Sequence, residues 1–174
     1  GEKHLRVERH EDGAGDKTFR QYTARNLTPS KDSSYYAVPY RLDSILAAPD
    51  KLVFIAEGEK CVHALEGLGL LATCNPGGAK NWHVSLGKWL DGRRVVVLPD
   101  NDQAGSDHAD DVIEKLKPWA SEIRRVELPG LEHKGDAADW IAAGGTKEQL
   151  IELVQSAACI DLGEIDTRYK YADL

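Results

Sequence analysis

Three short acidic segments carry the residue types best suited to chemistry. They are Glu57-Gly58-Glu59-Lys60, Pro99-Asp100-Asn101-Asp102-Gln103-Ala104-Gly105 and Lys134-Gly135-Asp136-Ala137-Ala138-Asp139-Trp140. Asp100 and Asp102 are separated by one residue, and in extended backbone such a pair points to one side. Two carboxylates so placed repel each other unless a cation lies between them. A hard divalent ion with oxygen ligands suits that arrangement. Mg2+ takes one or two carboxylates, keeps several waters and adds substrate phosphates, so four acids at one edge are enough for one or two ions.

The elements around these segments explain how residues so distant in sequence can meet. Leu52-Val53-Phe54-Ile55-Ala56 and Val95-Val96-Val97-Leu98 are continuous apolar runs of the kind that form buried parallel strands. Residues 70–73 and 123–128 predict two more strands. Each acidic segment follows a strand. Between the strands, apolar spacing predicts helices over 59–68, with Val62, Leu65 and Leu68 on one face, and over 81–90, with Trp82, Leu86, Trp89 and Leu90 inward. A further helix over 104–117 carries the stripe Ala109, Val112, Ile113 and Leu116. Residues 136–142 predict a short helix ended by Gly144-Gly145. Thr146 and Gln149 form a capping-box pair that opens a last helix to about Ser156. Strands alternating with helices imply an α/β fold, a mostly parallel sheet with helices on both faces. Sites in such sheets form beyond the carboxyl ends of the strands, where all three acidic segments fall.

Before this domain, residues 5–24 alternate in polarity around a turn rich in glycine and aspartate and predict a β-hairpin appendage. Residues 26–40 read as a linker, and 41–48 as a short helix ended before Pro49. The expected division is 1–50 for appendage and linker, 51–157 for the catalytic domain and 158–174 for an acidic tail.

Composition narrows the function classes. The chain has 174 residues, 41% of them hydrophobic, enough for a packed core. No apolar run approaches the roughly 18 residues needed to span a bilayer, and no signal peptide opens the sequence, so a cytoplasmic protein with no membrane partner is expected. The three cysteines, Cys61, Cys74 and Cys159, are widely spaced without a C-x-x-C pair, which argues against a zinc ribbon and a disulfide framework and for reduced, mostly buried thiols. The six histidines show no metal-ligand spacing and are expected at the surface or in packing. No G-x-x-x-x-G-K-[ST] loop is present, which excludes a P-loop ATPase within these residues. The net charge of -7 counts against tight nucleic-acid binding by this segment alone, while suiting a carboxylate cluster neutralised by divalent cations.

Glu-Gly after the first strand of the domain and Asp-x-Asp-x-Ala-Gly after the third resemble the Toprim signature of primases and topoisomerases. The segment from Lys134 to Trp140 is similar to the Lys-Asp-Ala-Asn motif of phage and plasmid primase–helicases. The resemblance covers about residues 51–155. It implies metal-dependent nucleotidyl transfer with Mg2+ or Mn2+ as cofactor, a single-stranded DNA template and NTPs as substrates, and a helicase domain or subunit as partner. Glu57 would be a metal ligand or proton-transfer group, Asp100 and Asp102 the principal ligands, and Asp136 the acid completing the site. Lys134 and Lys80 would contact phosphates, and Gly77 and Gly78 would lie in a loop approaching the nucleic acid. Lys60 departs from many bacterial replicative primases, which carry aspartate there. The change replaces a ligand by a cation suited to triphosphate and leaves the metal count open.

Other readings compete. Asp100 and Asp102 also suit an ordinary loop leading into a helix N-terminus, where acids are favoured, and Asp136 and Asp139 suit the start of a short helix. The lysines suit a solvated surface, and the four tryptophans suit packing better than base stacking. A Toprim nuclease with water as nucleophile, and a non-catalytic module binding nucleic acid, share the same motifs. A phosphoacceptor receiver-like domain fits less well, because its acid pair comes first along the chain.

Overall fold

Two central strands buried on both faces organise the domain. The computed structural model describes residues 38–76 and 81–163, and the backbone of 5–11 and 17–23. In β3 (Val53–Ile55) and β5 (Arg94–Val97), Val53, Ile55, Val95 and Val97 face one side of the sheet while Phe54 and Val96 face the other. Both faces are buried, as expected where helices cover a parallel sheet on both sides.

Two strands precede the domain. β1 (Leu5–Glu11) and β2 (Lys17–Thr23) pair antiparallel, from Leu5 opposite Thr23 to Glu11 opposite Lys17. This is the expected hairpin; its turn, and residues 26–37 of the expected linker, lie outside the described residues. The first helix, α1 (Leu42–Ala47), ends before Pro49 as predicted.

The sheet has the order β4-β3-β5-β6, all neighbours parallel, with β4 at Leu71–Thr73 and β6 at Glu122–Arg125. From β3 the chain runs through α2 (Glu59–Gly67) to β4 on one side. It then crosses back through a 3-10 helix (Val84–Leu90) to β5 on the other, and continues through α3 (Gln103–Leu116) to β6. Right-handed crossovers running in opposite directions must lie on opposite faces. Accordingly α2 packs on the Phe54 face with α4 (Ala137–Ala142) and α5 (Lys147–Ser156), around Leu65, Trp140 and Leu150. The 3-10 helix, α3 and Ile45 of α1 cover the Val53 face around Trp82, Leu86 and Val112.

Local departures from the sequence expectations have physical causes. Residues 84–90 coil as a 3-10 helix because His83 caps the segment, accepting from Ser85 N, and because Ser85 and Gly87 are weak α-helix formers. Gly87 is required there: a Cβ would lie 2.2 Å from Trp119 Cδ1. Trp89 is half-buried rather than core, with the Lys88 ammonium 5.3 Å from its ring centroid. Leu68 follows the end of α2 and is half-buried. Residues 159 and 160, which the sequence places in the tail, lie along β6: Ile160 N donates to Ile123 O at 2.8 Å, and Arg124 forms an antiparallel bridge with Cys159. Cys61 and Cys74 are buried thiols and Cys159 is exposed.

Candidate functional site

The strand order reverses between β3 and β5, so their carboxyl ends open a crevice at the switch point of the sheet. Glu57 stands two residues beyond Ile55 and Asp100 three beyond Val97, its ladder partner. The two half-buried side chains meet there and share a hydrogen bond. Burial, then the charge of Glu57 and that hydrogen bond, then the charges of Asp136 and Asp102, push the Asp100 carboxyl up to about 7. Around neutral pH the pair therefore holds a proton that a cation would replace.

Asp102 and Asp136 stand close enough to act on Asp100, yet each has another task. Asp102 caps α3, its Oδ1 accepting from Gly105 N at 2.8 Å, while its own N donates to Asp100 O at 2.8 Å. Asp136 caps α4 and accepts from Asp139 N at 2.9 Å; Asp139 in turn accepts from Asp136 N at 3.2 Å, a reciprocal capping box. The helix-start reading and the functional reading thus apply to the same two carboxylates. Among the described residues no three His, Cys, Asp or Glu side chains are grouped closely enough to hold one ion between them. Glu57 and Asp100 form a pair. Two carboxylates with waters and substrate phosphates match how Mg2+ is usually held, so the residues present fit one such ion.

Lys60, in the first turn of α2, is exposed, but its ammonium is paired. Its Nζ lies 3.0 Å from Asp136 Oδ2 and 2.8 Å from Asp139 Oδ1. Those hydrogen bonds, Asp139 first, hold its pKa above the ordinary lysine value. Lys134 is exposed, in a left-handed backbone conformation with φ 67°, on the loop before Asp136. That loop and helices α4 and α5 border an open groove of about 870 Å³, lined among others by His133, Lys134, Asp139 and Gln149. Gly77, Gly78 and Lys80 lie outside the described residues.

Three residues to which sequence reasoning gave no individual role build the site. Asn101 donates from Nδ2 to Leu131 O at 2.8 Å and Glu132 O at 3.0 Å. Its backbone N donates to Gly135 O and its carbonyl accepts from Lys134 N. The middle residue of the Asp-x-Asp motif therefore binds the loop that carries Asp136 to the loop that carries Asp100. Gly105 lets the first turn of α3 rest on the Asp100 backbone. His108, one turn further along α3, is buried beside Glu57 in the cleft that Asp100 and Gly105 also line. Burial holds its pKa below the ordinary histidine value, against the pull of Glu57. The only sequence signal for His108 was its place on the inward stripe next to Ala109 and one helical turn before Val112.

No protein-family model and no curated protein matches the chain. Solved structures do. The Escherichia coli primase catalytic core superposes with a TM-score of 0.60 at 19% identity, over 98% of this chain and 56% of that one. A DnaG primase catalytic domain bound to single-stranded DNA gives 0.60 at 18% identity, over 98% and 55%. A bacteriophage T7 assembly, in which lagging-strand DNA polymerase interacts with primase domains of two gp4 subunits bound to an RNA/DNA hybrid and dTTP, gives 0.55 at 17% identity, over 88% and 78%. The fold matches that of these primase catalytic cores, and the chain spans just over half the length of the primase cores it matches.

Proposed function

We propose that this chain is the Toprim catalytic module of a primase acting in phage or plasmid DNA replication, in the cytoplasm. It would join NTPs into a short RNA primer on a single-stranded DNA template, with a helicase domain or subunit as partner. The observation that carries this reading is the Glu57–Asp100 carboxyl pair at the switch point, loaded further by the charges of Asp102 and Asp136. So much negative charge around one half-buried group is costly without a cation.

Glu57 and Asp100 would hold Mg2+ or Mn2+, with Asp102 and Asp136 contributing charge. When bound, such an ion neutralises phosphoryl oxygens and favours the deprotonated attacking hydroxyl. In the reaction the 3′-hydroxyl of one nucleotide attacks the α-phosphate of an NTP, the new phosphodiester forms, and pyrophosphate leaves with the electrons of the broken bond. Glu57 would accept the proton. Asn101 keeps the Asp136 loop against the Asp100 loop, so the acids stay aligned. Lys134, which lines the groove, would contact phosphates, and Lys80 with Gly77 and Gly78 belongs to the segment proposed to approach the template. The groove of about 870 Å³ beside Lys134 has room for a nucleotide.

The test is a product assay with NTPs, Mg2+ and a single-stranded template, run alongside a nicking assay on labelled duplex DNA. Primer-length RNA from the wild type, absent with Asp100→Asn, is the expected result. Nicking without synthesis would assign a Toprim nuclease, and metal binding with neither product would assign a non-catalytic nucleic-acid-binding module.

A further inference from the structure

The acids of α4 are arranged around one point. In the capping box, Asp136 Oδ1 accepts from Asp139 N and Asp139 Oδ2 accepts from Asp136 N. Each carboxylate keeps one oxygen for something else. Both of those oxygens, Asp136 Oδ2 at 3.0 Å and Asp139 Oδ1 at 2.8 Å, converge on Lys60 Nζ. The box fixes both rings of this small chelate, because turning either carboxylate away would release a backbone N–H at the start of α4. Lys60 reaches across from the first turn of α2, three residues beyond Glu57, so the position it fills borders the proposed centre. Packing does not explain the lysine: 64% of its side chain is exposed. Two converging carboxylate oxygens form a seat for a hard cation, and the ammonium occupies it.

We infer that Lys60 is a resident cation of the centre, seated on Asp136 and Asp139 where a second divalent ion would otherwise bind, so that the chain holds a single divalent ion at Glu57 and Asp100. This rests on the metal-dependent reading proposed above. An ammonium has one charge and cannot exchange with solvent ions, because it is tethered. It holds α2 and α4 together whatever the Mg2+ concentration, and it leaves only the Glu57–Asp100 side dependent on free metal. Asp136 then acts as a positioning residue, tied to a lysine, and not as a shared ligand.

Counting bound Mn2+ by electron paramagnetic resonance on the full chain tests this, with no need for turnover. Wild type and Lys60→Arg, which keeps the charge, are expected to bind one Mn2+. Lys60→Gln, which removes the charge at an exposed position and leaves the fold intact, is expected to bind two. Adding Asp139→Asn to Lys60→Gln is expected to return the count to one. Two ions in the wild type, or one in Lys60→Gln, overturns the inference and leaves the Glu57–Asp100 centre standing. No ion in any of the variants overturns the centre itself, and this inference with it.

Discussion

A Cβ placed on Gly105 would lie 2.6 Å from the carbonyl oxygen of Asp100 and 2.9 Å from its Cβ, so α3 begins in direct contact with the acid that precedes it. The contact is made to backbone, which cannot swing aside as a long side chain would. Gly105→Ala is therefore expected to push Asp100 away from Glu57. Strain of this kind typically costs about 1–3 kcal/mol, seen as a lower melting temperature. The displaced carboxyl is expected to weaken Mn2+ binding about tenfold, corresponding to ~1.4 kcal/mol. Unchanged melting and unchanged Mn2+ affinity would show that the site tolerates a wider spacing.

The raised pKa of Asp100 makes stability depend on pH in a defined direction. An unfolded aspartate titrates at about 3.9, whereas burial and the neighbouring Glu57 bring the folded group to about 7. Between those values the folded chain binds more protons than the unfolded chain, so stability falls as pH rises and levels off above the folded pKa. Asp100 is partly exposed, and solvent screening reduces the effect to about 1–2 kcal/mol across that window. Asp100→Asn is expected to flatten the slope and to be the more stable protein at pH 8 without metal. Added Mg2+ is expected to stabilise the wild type more at pH 8 than at pH 5, because the ion replaces the shared proton. Denaturant melts at the two pH values measure both effects, and a wild-type slope of the opposite sign would contradict the assignment.

Asn101 is the hinge between two of the acidic segments. Its amide spans Leu131 O and Glu132 O, and its backbone is bonded to Lys134 and Gly135. Asn101→Ala removes the two side-chain bonds at an exposed position, which is expected to cost about 1 kcal/mol of global stability. The larger expected effect is local. Amide hydrogen exchange should speed up over 131–136 while β3 and β5 stay protected, and primer synthesis should fall more than melting temperature does. Equal loss of protection throughout the sheet would make Asn101 a general stabiliser instead.

How much of this could be read in the sequence follows from which interactions are local. The apolar runs of β3 and β5 were legible because both faces of the strands are buried, and the stripe of α3 because burial of one helix face imposes a period on it. The Thr146–Gln149 capping box was legible because both partners lie within one turn, and the structure contains it. Glu57 and Asp100 could be placed at one edge because parallel strands bring their carboxyl ends together. The roles of Asn101, Gly105 and Lys60 were not legible, since each depends on a partner that only tertiary packing supplies. Lys60 meets Asp139 across 79 residues, and no pattern of spacing encodes such a pair. The antiparallel return of residues 159–160 along β6 was hidden for a related reason. One bridge at a sheet edge needs no run of strand-forming residues.

Arg93 provides a contrast, because it anchors the opposite end of the same central strand. It is buried just before β5, and its guanidinium donates to three carbonyls: Ile45 O at 2.9 Å, Ala48 O at 2.7 Å and Lys51 O at 3.1 Å. These groups close the end of α1 and the turn that leads into β3, where Ile45 O also accepts from Ala48 N and Ala48 O from Lys51 N. Arg93→Leu would keep some of the apolar packing of the stem and remove three hydrogen bonds from a charged donor, which is expected to cost about 2–4 kcal/mol. Lysine should recover only part of that, because one ammonium cannot match the planar fork that reaches three oxygens. Since Arg93 sits at the amino end of β5 and Asp100 beyond its carboxyl end, Mn2+ affinity measured well below the melting temperature is expected to stay unchanged. A metal-binding loss as large as that of Gly105→Ala would mean that the two ends of the sheet are coupled, and that the acid pair depends on the position of α1.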